Sequence, residues 1–411
     1  MGSKVSNRFF PLSRPLVALG LAAALAACGS SSDDPPQVAE PLPMAPGEWT
    51  RFVPVETEID GKLFRPTCSG FPGTNPEFHF WAKRGTADKL VVFFEGGGAC
   101  WDGMTCSLPV DPAASPDTPQ LYAPAILPGN DPRALGGLFD TENAQNPVHD
   151  WSYVYVPYCT GDVHAGSVTQ TYTSPFNGQA FQIEHRGADN FRVVLKWIER
   201  NFRNPEQVFV AGSSAGAYGA AAHYPEIRDV FPAAQASMLA DAGQAVVPES
   251  FSEIRNQSWN MQLRESVFGP DAASAPGGEL ADRLAERYPN DRFAQYTTSL
   301  DLVQMGFYGV MVNGLTGSQG TACRQWSDIM RAELADRERL PNFRSYVGAG
   351  VSHMILPGND PGNVGVPLFY RESSGGDLFS HWLDSMLSPS GAGWVNRSCT
   401  NCDTLPMPCP L

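Results

Sequence analysis

Ser214 lies in Gly212-Ser213-Ser214-Ala215-Gly216, a Gly-x-Ser-x-Gly turn. A serine hydroxyl acts as a nucleophile when a base takes its proton, an acid orients that base, and N–H donors meet the oxyanion formed on attack. The apolar run Gln207 to Ala211 precedes the turn, and the small-residue stretch Ala217 to Ala222 follows it. Strand, tight turn and helix in that order are the sequence form of a nucleophile elbow, with the Ala215 N–H facing the oxyanion. The bland alternative is an ordinary Gly/Ser-rich turn, which the strand and helix on either side disfavour.

Two histidines follow Ser214 at a useful distance. His353 comes after the run Tyr346-Val347-Gly348 in a small-residue loop, and His381 lies in a helical pattern beside Trp382, where packing or capping explains it. His353 is the favoured base. For the acid, Asp241 and Asp301 compete. Asp301 sits nearer the late part of the sheet, and Asp241 could instead shape the substrate pocket. Glu95-Gly96-Gly97-Gly98 ends an apolar run and offers Gly97 and Gly98 as further oxyanion donors, since glycine turns its N–H into a cleft without a side chain in the way. No Gly-Lys-Ser/Thr follows, so a phosphate-cradling loop is a poorer reading.

These residues must be held by strands and helices. Leu90 to Phe94 is a continuous apolar run, the pattern of a strand buried on both faces. Ser152 to Tyr158 alternates and reads as a strand. Ala236 to Ala240, Phe293 to Leu300 and Phe343 to Val347 are further strand candidates. Helical spacing marks Phe191 to Phe202, Glu279 to Tyr288, Asp328 to Leu340 and Leu378 to Leu387. Alternating strands and helices imply an α/β fold, a mostly parallel sheet with helices on both faces. Ligands on such sheets bind at the carboxyl ends of the strands, and Glu95, Ser214, Asp301 and His353 each follow a strand candidate. Residues 107–150, rich in Pro, Gly, Asn and Asp, form a long insertion of the kind that serves as a lid or substrate loop.

Of 411 residues, 42% are hydrophobic and 11% aromatic, which is globular composition. Residues 1–27 read as a lipoprotein signal peptide. Lys4, Arg8 and Arg14 precede the run Leu16 to Ala27, which at about a dozen residues is too short for a typical transmembrane helix. Leu25-Ala26-Ala27-Cys28 resembles a bacterial lipobox, so Cys28 is expected to carry lipid, and residues 28–47 to form a polar, Pro-rich tether. Gly29 after that cysteine suggests an exported lipoprotein anchored in the outer membrane. Without the leader the chain holds 25 basic and 43 acidic residues, net −18, a surface that disfavours nucleic acid. A single catalytic domain is expected over 48–395, with a Cys-rich tail over 396–411. The remaining eight cysteines (Cys68, Cys100, Cys106, Cys159, Cys323, Cys399, Cys402 and Cys409) form an even set, read as disulfides in an exported chain rather than as metal ligands.

Phe94-Glu95-Gly96-Gly97-Gly98-Ala99-Cys100-Trp101, Tyr158-Cys159-Thr160-Gly161-Asp162 and Gly212-Ser213-Ser214-Ala215-Gly216 occur in this order. Together they resemble the pectin acetylesterase family, which includes animal Notum. Asp301-Leu302-Val303-Gln304 resembles that family's Asp-x-x-Gln and favours Asp301 over Asp241. The resemblance implies an α/β-hydrolase-like fold, a triad of Ser214, Asp301 and His353, oxyanion donors Gly97, Gly98 and Ala215, and bridges Cys68–Cys159 and Cys100–Cys106. Cys323, Cys399, Cys402 and Cys409 would pair among themselves. Ala217 and Met354 stand where the family commonly has Gly and Cys.

The expected function is an exported serine carboxylesterase acting on O-acetyl esters of a polysaccharide, with no metal or organic cofactor. Lipid or polyester substrates, a serine peptidase or amidase, and a non-catalytic carbohydrate-binding lipoprotein are the alternatives.

Overall fold

The computed structural model describes residues 44–115, 118–272, 279–315, 322–358, 366–400 and 402. The expected leader and most of the tether therefore lie outside the described residues. Among the described residues, nine strands form the central sheet: β1 (Trp49–Phe52), β2 (Phe80–Lys83), β3 (Lys89–Phe94), β4 (Ser152–Val156), β5 (Gln207–Ser213), β6 (Gln235–Asp241), β7 (Arg292–Thr298), β8 (Phe343–Gly348) and β9 (Arg397–Ser398). Their order across the sheet is β1-β2-β4-β3-β5-β6-β7-β8-β9. The pairs β1–β2 and β2–β4 are antiparallel, and every pair from β4 to β9 is parallel. This is the mostly parallel, α/β-hydrolase-like architecture expected from the alternating pattern. The last strand comes from residues the sequence reading assigns to the Cys-rich tail.

The helices are α1 (Gly187–Asn201), α2 (Ala215–Val230), α3 (Glu249–Trp259), α4 (Glu279–Arg287), α5 (Leu302–Asn313), α6 (Ala322–Arg337) and α7 (Phe379–Leu387), with two further four-residue turns of helix. The sheet is apolar on both faces. Leu90, Val92 and Phe94 of β3 pack with Phe191, Val194 and Tyr224 of α1 and α2. Val91 and Phe93 point the other way, into a cluster with Phe379, Trp382 and Leu383 of α7. The alternation read in Ser152 to Tyr158 does not become an exposed face: β4 is buried throughout, because its polar-looking tyrosines pack inside. Tyr153, for instance, donates its hydroxyl to the carbonyls of Leu138 and Val148.

The register aligns the strand ends that carry the site. Phe94 stands beside Gly212, Ser213 beside Asp241, and Thr298 beside Gly348. Loops leaving β3, β5, β6, β7 and β8 therefore emerge on one edge of the sheet. Disulfides join Cys68 to Cys159, Cys100 to Cys106 and Cys399 to Cys402. The first two are those the resemblance implies. Cys323 is buried, and Cys409 lies outside the described residues.

Candidate active site

Ser214 sits between β5 and α2 with φ 56° and ψ −124°. This is a conformation that L-residues adopt only under constraint from their surroundings. The constraint is steric and close. A Cβ at Gly216 would lie 2.0 Å from the Phe94 carbonyl oxygen, so only glycine lets the helix start pass that close to β3. The Ser214 N–H donates to the Asp241 carbonyl at 2.7 Å, which fixes the elbow to β6. Ala215 opens α2, and the first N–H groups of a helix have no intrahelical acceptor.

The Gly96–Gly98 loop leaves β3 directly beside the elbow. Gly98 has φ +73°, and a Cβ there would meet the Leu121 carbonyl oxygen at 1.9 Å. The loop is held from outside the turn: Ala123 N donates to the Gly97 carbonyl at 2.8 Å, and Ala99 N to the Leu121 carbonyl at 2.9 Å. Glu95 anchors its start. Its carboxyl accepts from Tyr158 N at 3.1 Å and from the Asn130 amide. Its carbonyl accepts from His164 Nε2 at 2.8 Å, which requires that nitrogen to carry the proton. Burial pushes the Glu95 carboxyl up to about 7 and the His164 imidazole down to about 3, so His164 stays neutral at working pH.

Asp301 follows β7 and caps α5. Its Oδ1 accepts from Val303 N at 3.1 Å and Gln304 N at 3.0 Å, and its Oδ2 from Gln304 Nε2 at 2.9 Å. Gln304 Nε2 also reaches Gln244 Oε1 at 2.6 Å, and Gln244 Nε2 donates to the Tyr296 carbonyl at 2.7 Å. His353, in the loop after β8, places Nδ1 2.9 Å from Asp301 Oδ1 and 2.8 Å from Oδ2. Facing a carboxylate, Nδ1 carries the proton, which leaves the Nε2 lone pair available. Nε2 is buried and has no hydrogen-bond partner among the described residues. Burial lowers the His353 pKa, but the charge and hydrogen bond of Asp301, with a smaller push from Asp241, win and hold it above its ordinary value.

Ser214, Gly98 and His353 line two cavities that meet at the elbow. One, of about 90 Å³, is walled mostly by apolar side chains, among them Trp101, Val246, Phe251, Trp259, Met311 and Trp326. The other, of about 360 Å³, has Glu95, Gln120 and Asn130 on its wall beside Leu121, Tyr155 and Pro357. Part of the 107–150 insertion packs against the glycine loop and walls the larger cavity, through Val110, Gln120, Leu121, Gly129, Asn130 and Leu135.

The structure therefore brings Ser214, Asp301, His353, Gly97, Gly98 and Ala215 to one edge of the sheet. Asp241, the rejected alternative for the acid, does not shape the substrate pocket either. It does not contact the His353 ring and lines neither cavity; its side chain accepts from Ser213 Oγ and from the Ile355 and Leu356 N–H groups. His381 is exposed on α7 and lines neither cavity. Gln244, Gln304, Asn130 and His164 were not assigned from sequence. Gln304 had a legible signal in the Asp-x-x-Gln spacing, which puts it one helical turn from the N-cap Asp301, whose carboxylate its Nε2 reaches. Cys100, Cys106 and His185 place potential ligand atoms within 4.8 Å of one another, but the two sulfurs are joined in a disulfide and cannot serve as thiolates.

A family model described as Pectinacetylesterase matches residues 67–263, just under half of the chain. The chain is 28% identical over 156 residues to Palmitoleoyl-protein carboxylesterase notum2 of Xenopus laevis, covering 37% of this chain and 28% of that protein. It is 26% identical over 175 residues to Pectin acetylesterase 7 of Arabidopsis thaliana, covering 42% and 41%. With Palmitoleoyl-protein carboxylesterase NOTUM of Homo sapiens it shares 24% identity over 188 residues, covering 43% and 34%. The chain thus spans well under half the length of these relatives. The resemblance read from the three motifs is shown over this region, which contains the glycine loop and Ser214. Asp301 and His353 lie beyond it and stand on geometry alone.

Proposed function

We propose, from the match to the pectinacetylesterase family, that this chain is a serine carboxylesterase whose triad is Ser214, His353 and Asp301. The observation that carries the reading is the His353 ring, held by Asp301 through Nδ1 and offering an unpartnered Nε2 beside a strained elbow serine. His353 Nε2 takes the Ser214 proton as Oγ attacks the ester carbonyl carbon. The oxyanion is met by the N–H groups of Gly97, Gly98 and Ala215. The protonated imidazole then gives its proton to the departing alkoxide. Water, deprotonated by the same nitrogen, attacks the acyl-enzyme and releases the acid. Asp301 keeps the imidazole in the right tautomer and stabilises its charged form. Gln304 and Gln244 hold Asp301 in turn.

The substrate is an acyl ester of a hydroxylated compound, with O-acetyl groups of a polysaccharide as the first class to test. Glu95, Gln120 and Asn130 support a hydroxyl-rich alcohol in the larger cavity. The apolar cavity favours a second reading, an acyl group longer than acetyl. Its 90 Å³ compares with about 10–15 Å³ for a single water by the same measure. Purified protein should be assayed on p-nitrophenyl esters from acetate to palmitate, on acetylated pectin and on a peptide panel. Ester turnover that vanishes in Ser214→Ala, with the melting temperature retained, is the expected result. Peptide cleavage without ester cleavage, or undiminished turnover in Ser214→Ala, would overturn the proposal.

A further inference from the structure

The fully buried carboxylate of Asp241 is left over by this mechanism, yet it touches both halves of the site. On the strand side, Oδ2 accepts from Ser213 Oγ at 2.6 Å, and the Asp241 carbonyl accepts from Ser214 N at 2.7 Å. On the loop side, Ile355 N donates to both carboxylate oxygens at 3.1 Å and Leu356 N donates to Oδ2 at 2.9 Å. Ile355 and Leu356 directly follow His353 and Met354.

We propose that Asp241 is a positioning residue: its carboxylate latches the loop bearing His353 onto the strand bearing Ser214, and so sets the approach of Nε2 to Oγ. This rests on reading Ser214 and His353 as nucleophile and base. Upstream of His353, the loop is tied to the Asp301 side of the site, through Thr298 Oγ1 to the Ser352 carbonyl at 2.6 Å and Leu302 N to the Val351 carbonyl at 3.3 Å. Downstream, Leu138 N and Gly136 N reach the carbonyls of Leu356 and Pro357, but from the long insertion. Among the described residues, Asp241 supplies the hydrogen-bonded connection between this loop and β5. The imidazole is thus fixed to its acid by one set of bonds and to its nucleophile by another.

The chemistry of the latch asks for a carboxylate. Ser213 Oγ–H and two backbone N–H groups all donate toward it, and an ionised carboxylate offers only acceptors. An asparagine keeps one acceptor oxygen for all three donors and turns its own N–H₂ toward Ile355 N, which loses the bond to Oδ1 and meets a donor in its place. A misplacement of about 1 Å between reacting groups can cost about 100-fold in rate.

Asp241→Asn, Ser213→Ala and the wild type would be compared for kcat and KM on a p-nitrophenyl ester. The fraction of reactive sites and their rate of phosphonylation would be measured with a fluorophosphonate, which reacts at Ser214 with loss of fluoride. In Asp241→Asn we expect kcat to fall about 100-fold with KM within about twofold, and phosphonylation to slow in parallel at full site occupancy. Ser213→Ala, which removes only the strand-side arm, should lower kcat by about 5-fold to 10-fold. Surviving Asp241→Asn sites that turn over at the wild-type rate would reduce Asp241 to a stabiliser of the fold and overturn the latch. If Asp241→Asn does not fold, a wild-type kcat in Ser213→Ala overturns it equally. A wild-type protein that neither hydrolyses esters nor reacts with the fluorophosphonate removes the catalytic reading itself, and the latch with it.

Discussion

His353 is pulled in two directions. Its burial favours the neutral ring, and the Asp301 carboxylate favours the charged one. In the proposed mechanism the base must be neutral to accept the Ser214 proton, so the acid limb of kcat/KM should lie above about pH 6.5, the ordinary imidazole value. Asp301→Asn removes the charge that raises it. Burial then dominates, and the limb should move to lower pH while kcat falls by about 10³-fold to 10⁴-fold. A pH–rate profile of both proteins checks this, and an unmoved limb would disconnect Asp301 from the base. Ser214, Asp301 and His353 could be proposed from the sequence because each follows a strand in the order an α/β-hydrolase uses, with the Asp-x-x-Gln likeness choosing Asp301 over Asp241. Asp241 competed with Asp301 because it also follows a strand; the contacts now separate them, since Asp301 faces an imidazole and Asp241 a serine hydroxyl and two backbone amides. Gln244, Asn130 and His164 left no signal, since amides and histidines in loops acquire roles only from what the fold places opposite them.

Strand ends set the position of each loop, and the glycine loop is the least forgiving of them. Gly98 is left-handed and abuts the Leu121 carbonyl, so Gly98→Ala must both strain the backbone and push the loop from the 107–150 insertion. Loss of aligned oxyanion donors typically costs about 10²-fold to 10³-fold in kcat. Gly98→Ala should show a loss of that order in steady-state ester hydrolysis, with KM moving much less; an unchanged kcat would place the oxyanion elsewhere. Buried runs such as Leu90 to Phe94 were readable because both faces of the strand meet helices. The four-residue strands Trp49–Phe52 and Phe80–Lys83 were not, being too short to show a period. Helix α3 escaped for a different reason: its buried Phe251, Ser252, Arg255, Ser258 and Trp259 mix polar with apolar residues and blur the stripe.

Across the whole molecule, alternation of strands and helices implied a parallel sheet but not the crossing order β4-β3-β5, which is decided by which strands find neighbours. The described residues contain no helix long and apolar enough to cross a membrane. Attachment through a lipid on Cys28 is a proposal from sequence, and Cys28→Ala should move the protein from the membrane to the soluble fraction; continued sedimentation with membranes would refute it. The two cavities share Gly98, Ser214, Val303, Phe307 and His353 and otherwise draw on separate stretches of chain. Val110, Gln120, Leu121, Gly129, Asn130 and Leu135 precede the elbow and wall one side; Tyr218 through Trp326 follow it and wall most of the other. Under the proposed function, acid and alcohol would be judged by different parts of the gene. Recombination within residues 107–150 could hand a descendant a new alcohol while its taste in acids passed down unchanged.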